Sequence, residues 1–281
     1  MLKYRLLLGI LMIVGFTGLM LLDGGYCVGS SCPLKGHLLM LLIAIVAIPA
    51  NFEFAALARS TNHNVFLPIT VPASILIAIW PYFAQTFGVA AIAYVIGMAV
   101  VVCALLMYQS RVYGVTGVIG NCGASLFAIA YLGFLCSFIM LLRVQYDVWA
   151  LLMFVFTIKS ADIGAYAIGS MFGKHKFSPN ISPGKTWEGM AGAVLLAAIV
   201  GSFFAHFCGI MAVVYGAIFG AIFAFIGQLG DLAESMLKRD AQQKDSSHTV
   251  PGFGGILDVI DSPLVAAPFA VAYFWLIHRW N

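Results

Sequence analysis

An all-α, polytopic integral membrane protein of about nine transmembrane helices, N-terminus in and C-terminus out, is the fold class that three observations predict. The chain is 62% hydrophobic and 9% charged, with a mean hydropathy of +1.01, whereas a soluble domain carries about 25% charged residues. No soluble fold of 281 residues hides that much apolar surface. Apolar runs near the roughly 20 residues needed to cross a bilayer recur along the chain. Its basic residues gather at alternate ends of those runs.

The first run, Leu6 to Leu22 behind Lys3 and Arg5, has the layout of a signal peptide, but its length and the runs beyond it favour a retained first helix. Further spans read as 37–57, 66–85, 88–107, 117–141, 147–171, 189–209, 211–229 and 262–279, with very tight turns at 85–88 and 209–211. With the N-terminus in the cytoplasm, ten basic residues fall inside: Lys3, Arg5, Arg59, Arg111, Lys174, Lys176, Lys185, Lys238, Arg239 and Lys244. Three fall outside, Lys35, Arg143 and Arg279, and Lys159 lies within a span. Positive charge collects on the cytoplasmic side, so this asymmetry sets the orientation. Residues 1–145 form an N-terminal region of about five spans. Residues 146–281 form a C-terminal region expected to be catalytic, with cytoplasmic loops 172–188 and 230–261. No polar segment is long enough for a separate soluble domain or a nucleic-acid module. No repeat of 20 to 50 residues is evident.

The first five spans carry few polar groups. Glu53, beside Asn51 near the inner end of the second span, reads as a helix-packing or interfacial group more than a functional one. Pro49, Pro68, Pro72 and Pro81 are expected to kink the second and third spans, because proline removes a helix hydrogen bond. Cys103, Cys122, Cys136 and Cys208 read as small buried fillers. Cys27 and Cys32 share one loop, and spacing alone does not establish a disulfide. In the eighth span Gly216, Gly220 and Ala224 recur every four residues, which allows close helix approach.

The chain spends its charges in one place. From Gly227 to Ser262 it holds six of its eleven carboxylates and three of its fourteen basic residues. Asp231, Glu234, Asp240, Asp245, Asp258 and Asp261 stand among Lys238, Arg239, Lys244 and the glycine-rich turn Pro251-Gly-Phe-Gly-Gly255. Ionisable groups at the membrane are costly and mark functional sites. Asp231 and Glu234 share a helical face, as do Glu234 and Lys238, and Asp258 and Asp261 are also three apart. Carboxylates drawn together repel unless a cation lies between them, and hard oxygen ligands with substrate phosphates suit Mg²⁺. Lys238, Arg239 and Lys244 then neutralise a polyphosphate, and Gly252, Gly254 and Gly255 let backbone approach it. A solvated loop would not place acids at the ends of two spans.

Two further groups support that reading. Lys159 and Asp162 share a face at membrane depth, as a structural ion pair or as the lining of a polar cavity. In Phe172 to Gly189, the Gly184-Lys185-Thr186 fragment invites a P-loop reading. Pro179 stands where that motif needs its first glycine, so the Walker fold is rejected. Ser182, Lys185 and Thr186 are placed at the start of the seventh helix, where backbone N–H groups favour an anion. A plain N-cap explains Ser182 but not the density of polar side chains. There is no zinc spacing, no HExxH and no nucleophile elbow, and His175 and His248 are isolated. These signals point to phosphate chemistry on a metal without a covalent intermediate.

Ser235-Met-Leu-Lys-Arg-Asp240, Lys244-Asp245 and Pro251-Gly-Phe-Gly-Gly-Ile-Leu-Asp-Val-Ile-Asp-Ser262 resemble the C-terminal signature of phosphatidate cytidylyltransferases (CDP-diacylglycerol synthases). Asp162 to Tyr166 and Phe172 to Gly189, including SPxISPGKTWEG, are similar to that family too. The resemblance is close over about residues 155–265 and extends to the N-terminal spans only in hydropathy. It implies a membrane enzyme, bacterial and of the inner membrane with its site facing the cytoplasm, that joins CTP to phosphatidate. The products are CDP-diacylglycerol and pyrophosphate.

The resemblance further implies Mg²⁺, with K⁺ beside it, and a homodimer. Its metal-binding aspartates map onto Asp231 and Asp258, with Asp261 adjacent. Lys238, Arg239, Lys244 and Lys185 would balance substrate charge, while Asp245 and Asp261 orient those cations or hold a second ion. Asp162, Ser182, Lys185, Thr186, Glu188, Gly254 and Gly255 would contact substrate. Two departures stand out: Phe253 replaces the usual histidine before Gly-Gly, and Val259 replaces the usual arginine after Asp258. Competing readings are a related CTP-dependent lipid enzyme, of polyprenol kinase or CDP-archaeol synthase type, and a cation-coupled transporter.

Overall fold

A computed structural model describes residues 2–25, 36–247, 249, 250, 252 and 254–280. Cys27, Cys32, His248 and Phe253 lie outside the described residues, and with them the disulfide question and the histidine departure. The described chain is helical apart from one short hairpin. Its elements are α1 (Leu2–Asp23), α2 (His37–Ser60), α3 (Leu67–Phe87), α4 (Ala91–Val112), α5 (Val118–Ala128), a π-helical turn (Ile129–Phe134) and α6 (Leu135–Tyr146). Then follow α7 (Val148–Phe172), β1 (Lys176–Ser178), β2 (Ser182–Thr186), α8 (Trp187–Cys208), α9 (Val213–Asp240) and α10 (Leu257–Trp280).

Eight helices among the described residues are long and apolar enough to cross a membrane: α2, α3, α4, the continuous α5–α6 stretch Val118–Tyr146, and α7 to α10. In α1 the stretch Leu8–Asp23 is apolar but shorter. The tight turns come from left-handed glycines, Gly88 (φ 62°) after α3 and Gly209 (φ 63°) after α8, a conformation that glycine adopts without a Cβ clash. Pro68 lies in the first turn of α3, where a missing N–H costs nothing, and Pro49, Pro72 and Pro81 are inside their helices.

The chain divides into two compact units. The first comprises residues 1–144 with 240–259, so part of the charged loop belongs with the N-terminal helices. Its core joins Phe66, Ala73, Ile77, Leu105, Cys122 and Ile129. Asp23 and Arg143 form a buried ion pair at 2.7 Å, and Asp23 also accepts from the backbone N–H groups of Gly36 and Leu38. Of the four cysteines expected as fillers, Cys122 is buried, Cys103 is exposed, and Cys136 and Cys208 are half-buried. An apolar thiol can face lipid as readily as protein, so hydropathy did not distinguish them.

The second unit comprises residues 145–239 with 260–281. Its helices meet through small residues. A Cβ on Gly192 would come within 2.6 Å of the Gly164 carbonyl, and one on Gly216 within 2.6 Å of the Gly201 carbonyl. The Gly216, Gly220, Ala224 series is thus a packing seam, with Ala224 buried against Ala161, Ala193 and Ala197. Between α7 and α8 the chain forms an antiparallel hairpin, pairing Lys176 with Thr186 and Ser178 with Ser182.

Candidate active site

The hairpin revises the expected helix start. Ser182 and Lys185 lie in β2, and Thr186 is the N-cap of α8, its hydroxyl accepting from Gly189 N at 3.1 Å. The prolines explain the shift: Pro179 favours the turn and Pro183 follows Ser182 directly, a position that disfavours helix before it. Glu188, in the first turn of α8, accepts from the backbone N–H groups of Lys174 and His175 and pairs with His175 Nδ1 at 2.6 Å. It therefore fastens the end of α7 to the start of α8, and His175 is not isolated. At the far end of the hairpin Arg239 Nε donates to the Ile181 carbonyl at 3.3 Å.

The hairpin delivers Lys185 to α9. Its ammonium lies 2.7 Å from Asp231 Oδ2 and donates to the Gln228 carbonyl at 2.9 Å. Gln228 donates from Nε2 to Asp162 Oδ1 at 3.2 Å, and Asp162 pairs with Lys159 at 3.7 Å. Four residues expected at the site or beside it are so joined into one chain of contacts, Lys159–Asp162–Gln228–Lys185–Asp231. Gln228 is buried and had no charge to draw attention to it.

Along the same face of α9, Glu234 is fully buried and pairs with Lys238 at 2.7 Å. Asp261, on α10, is 4% exposed. Oxygens of Asp231, Glu234 and Asp261 all lie within 4.8 Å of one another. At such separations two like charges repel by about 4 kcal/mol even at an effective dielectric of about 20. Lys185 and Lys238 offset only part of three negative charges. A cation with oxygen ligands at roughly 2.1–2.6 Å spans up to about 4.2–5.2 Å between ligand atoms, so the donor set fits a hard divalent ion. Close approach of α9 and α10 is what permits it: a Cβ on Gly230 would come within 2.9 Å of Ser262 Cα.

Asp258 belongs to the first unit and has its own surroundings. Its Oδ2 accepts from Ser246 Oγ (2.8 Å), Ser246 N (3.1 Å) and Gly255 N (2.7 Å). The glycine turn is shaped by this carboxylate. Gly254 is left-handed (φ 97°), and a Cβ there would lie 2.5 Å from Asp258 Oδ2. Lys244 and Asp245 are exposed on the same segment. Two residues gain a place from the structure. Glu234, one of the six acids of the charged stretch, joins Asp231 and Asp261. Glu53, read as a packing group, contacts the segment that carries Asp258.

Residues 3–277 match the profile of the cytidylyltransferase family. A phosphatidate cytidylyltransferase of Mycobacterium bovis is 31% identical over 249 residues, covering 84% of this chain and 78% of that one. The Haemophilus influenzae phosphatidate cytidylyltransferase is 43% identical over 133 residues, or 45% of this chain and 46% of that protein. That of Bacillus subtilis is 41% identical over 133 residues, 47% of this chain and 49% of its own. A family match that runs from the first helix to the last, over residues 3–277, makes this protein a member of the cytidylyltransferase family.

Proposed function

We propose that this chain is a phosphatidate cytidylyltransferase, condensing CTP with phosphatidate to give CDP-diacylglycerol and pyrophosphate. The observation that carries the reading is the Asp231, Glu234, Asp261 cluster flanked by Lys185 and Lys238. Mg²⁺, with K⁺ as a second ion, would be held there by Asp231 and Asp261, with Glu234 within reach. Asp258 is the further acid that the family signature assigns to the metal. Bound there, Mg²⁺ would neutralise CTP phosphate charge and polarise the α-phosphorus.

The chain's own groups would do the rest by positioning and charge compensation. Lys185 and Lys238 exchange their carboxylate partners for substrate phosphates as these enter. Arg239 and Lys244 extend the positive field toward the triphosphate. Asp162, held by Lys159 and Gln228, orients the neighbouring donors. A phosphatidate phosphate oxygen attacks the α-phosphorus in line, forming one P–O bond. The bond from that phosphorus to the β-bridging oxygen breaks, and pyrophosphate leaves with its electron pair. No covalent enzyme intermediate is needed. The lipid tails remain in the bilayer.

The remaining features follow from the same reading. Nine spans with N-in, C-out orientation put the hairpin, the end of α9 and the glycine turn on the cytoplasmic side of a bacterial inner membrane, where CTP is found. Ten basic residues against three support it. A homodimer is proposed on the family resemblance. The test is transfer of label from radiolabelled CTP to phosphatidate by the purified protein in detergent with Mg²⁺. Labelled CDP-diacylglycerol and released pyrophosphate are expected. Binding of CTP with transfer to a different lipid would mean that the substitutions at Phe253 and Val259 have changed the acceptor. No CTP binding would overturn the reading in favour of a cation-coupled transporter.

A further inference from the structure

Glu53 lies on α2, is 5% exposed, and takes four hydrogen bonds from residues 193 to 204 positions away. Its Oε1 accepts from Ser247 Oγ (2.6 Å) and Ile256 N (3.0 Å). Its Oε2 accepts from Leu257 N (2.9 Å) and Ser246 Oγ (3.1 Å). Ile256 and Leu257 are where α10 begins, and their N–H groups belong to the set that a helix leaves unsatisfied at its start. The cap on these two N–H groups arrives from another helix. The second oxygen shares the Ser246 hydroxyl with Asp258 Oδ2 (2.8 Å). One hydroxyl, with one proton, is thus held between two carboxylates. Gly255 is what allows this convergence, because a Cβ there would overlap both Ser246 Oγ and the Glu53 carboxylate.

A packing role does not account for these contacts. A buried carboxylate costs several kcal/mol to desolvate unless its oxygens are bonded, and an apolar residue would pack as well without that cost. The four donors come from the segment bearing Asp258 and not from the helices around Glu53. We propose that Glu53 is a positioning residue for cytidylyl transfer: it fastens Ser246, Ser247, Ile256 and Leu257 to α2 and, through Ser246, sets the orientation of the Asp258 carboxylate. This rests on the reading above, in which Asp258 serves the reacting phosphates.

The experiment uses the full chain in detergent as wild type, Glu53→Gln, Ser246→Ala and the double variant. Glutamine keeps the size but turns one acceptor into an N–H₂ facing donors. Three quantities are read: the Mg²⁺ half-saturation of CDP-diacylglycerol formation, amide hydrogen exchange over 246–257, and the melting temperature. Glu53→Gln should raise the Mg²⁺ half-saturation about 10-fold or more, the range seen when a ligand's supporting partner is lost. Exchange should quicken at Ile256 and Leu257 and stay unchanged in α7 to α9. The double variant should be no worse than Glu53→Gln, because both break one linkage. A Glu53→Gln protein that melts lower and exchanges faster throughout, with unaltered Mg²⁺ dependence, would show a purely structural role and overturn the proposal. So would a variant matching wild type in all three. A wild type that makes no CDP-lipid would overturn the activity reading and the role of Asp258 with it, an outcome distinct from an active wild type that Glu53→Gln merely copies.

Discussion

Asp231 meets both parts of the chemistry, standing in the acid cluster and holding Lys185 at 2.7 Å. Asp231→Asn keeps the shape and removes the charge. We expect it to lower the rate of CDP-diacylglycerol formation by roughly 100-fold or more, the scale found when one preorganised charge-stabilising group is lost. Glu234→Gln tests whether this fully buried acid belongs to the shell of the proposed Mg²⁺. A loss comparable to Asp231→Asn, with an intact melting curve, is the expected result. A normal rate would confine Glu234 to pairing with Lys238. Gly255→Ala belongs to the same scale but acts on folding. The added methyl has no room beside Ser246 and Glu53, so a loss of about 1–3 kcal/mol is expected from overpacking, read as a lower melting temperature.

The element that most changes the picture is α9. Sequence hydropathy ends this span near residue 229, whereas the helix continues to Asp240. Strong helix formers and the Glu234–Lys238 pair one turn apart carry it past the apolar stretch. Asp231 and Glu234 thereby acquire a rigid support, which a loop would not give. The β1–β2 hairpin is the second such device, since it aims Lys185 at α9. Its exit is fixed by the Thr186 cap, and Thr186→Ala should cost about 1 kcal/mol, measurable as a lower midpoint in detergent denaturation. Transfer activity should fall with it if the cap also sets the aim of Lys185. A threonine important only to α8 would leave activity unchanged at temperatures where the variant is folded.

At the scale of the molecule, orientation is the testable quantity. Lys174→Cys and Arg279→Cys, in an otherwise cysteine-free chain, should label from opposite sides of sealed vesicles. Labelling of both from one side would contradict N-in, C-out. The two units cut across the division at residue 145 drawn from the sequence, because residues 240–259 fold with the first helices. A tie such as Glu53 to Leu257 joins positions 204 apart, and nothing in local periodicity records it.

The sequence alone determined that the chain is helical and apolar enough to be membrane-embedded, roughly where each apolar helix runs, and that its carboxylates gather between Gly227 and Ser262. Apolar length and charge placement act through the solvent, residue by residue, so they can be read without knowing what touches what. Only the tertiary structure decided that Glu234 joins Asp231 and Asp261, that Gln228 links Asp162 to Lys185, and that Glu53 accepts hydrogen bonds from the segment bearing Asp258. Each depends on a contact within about 3–5 Å between elements distant in the chain, and such contacts are set by how helices pack.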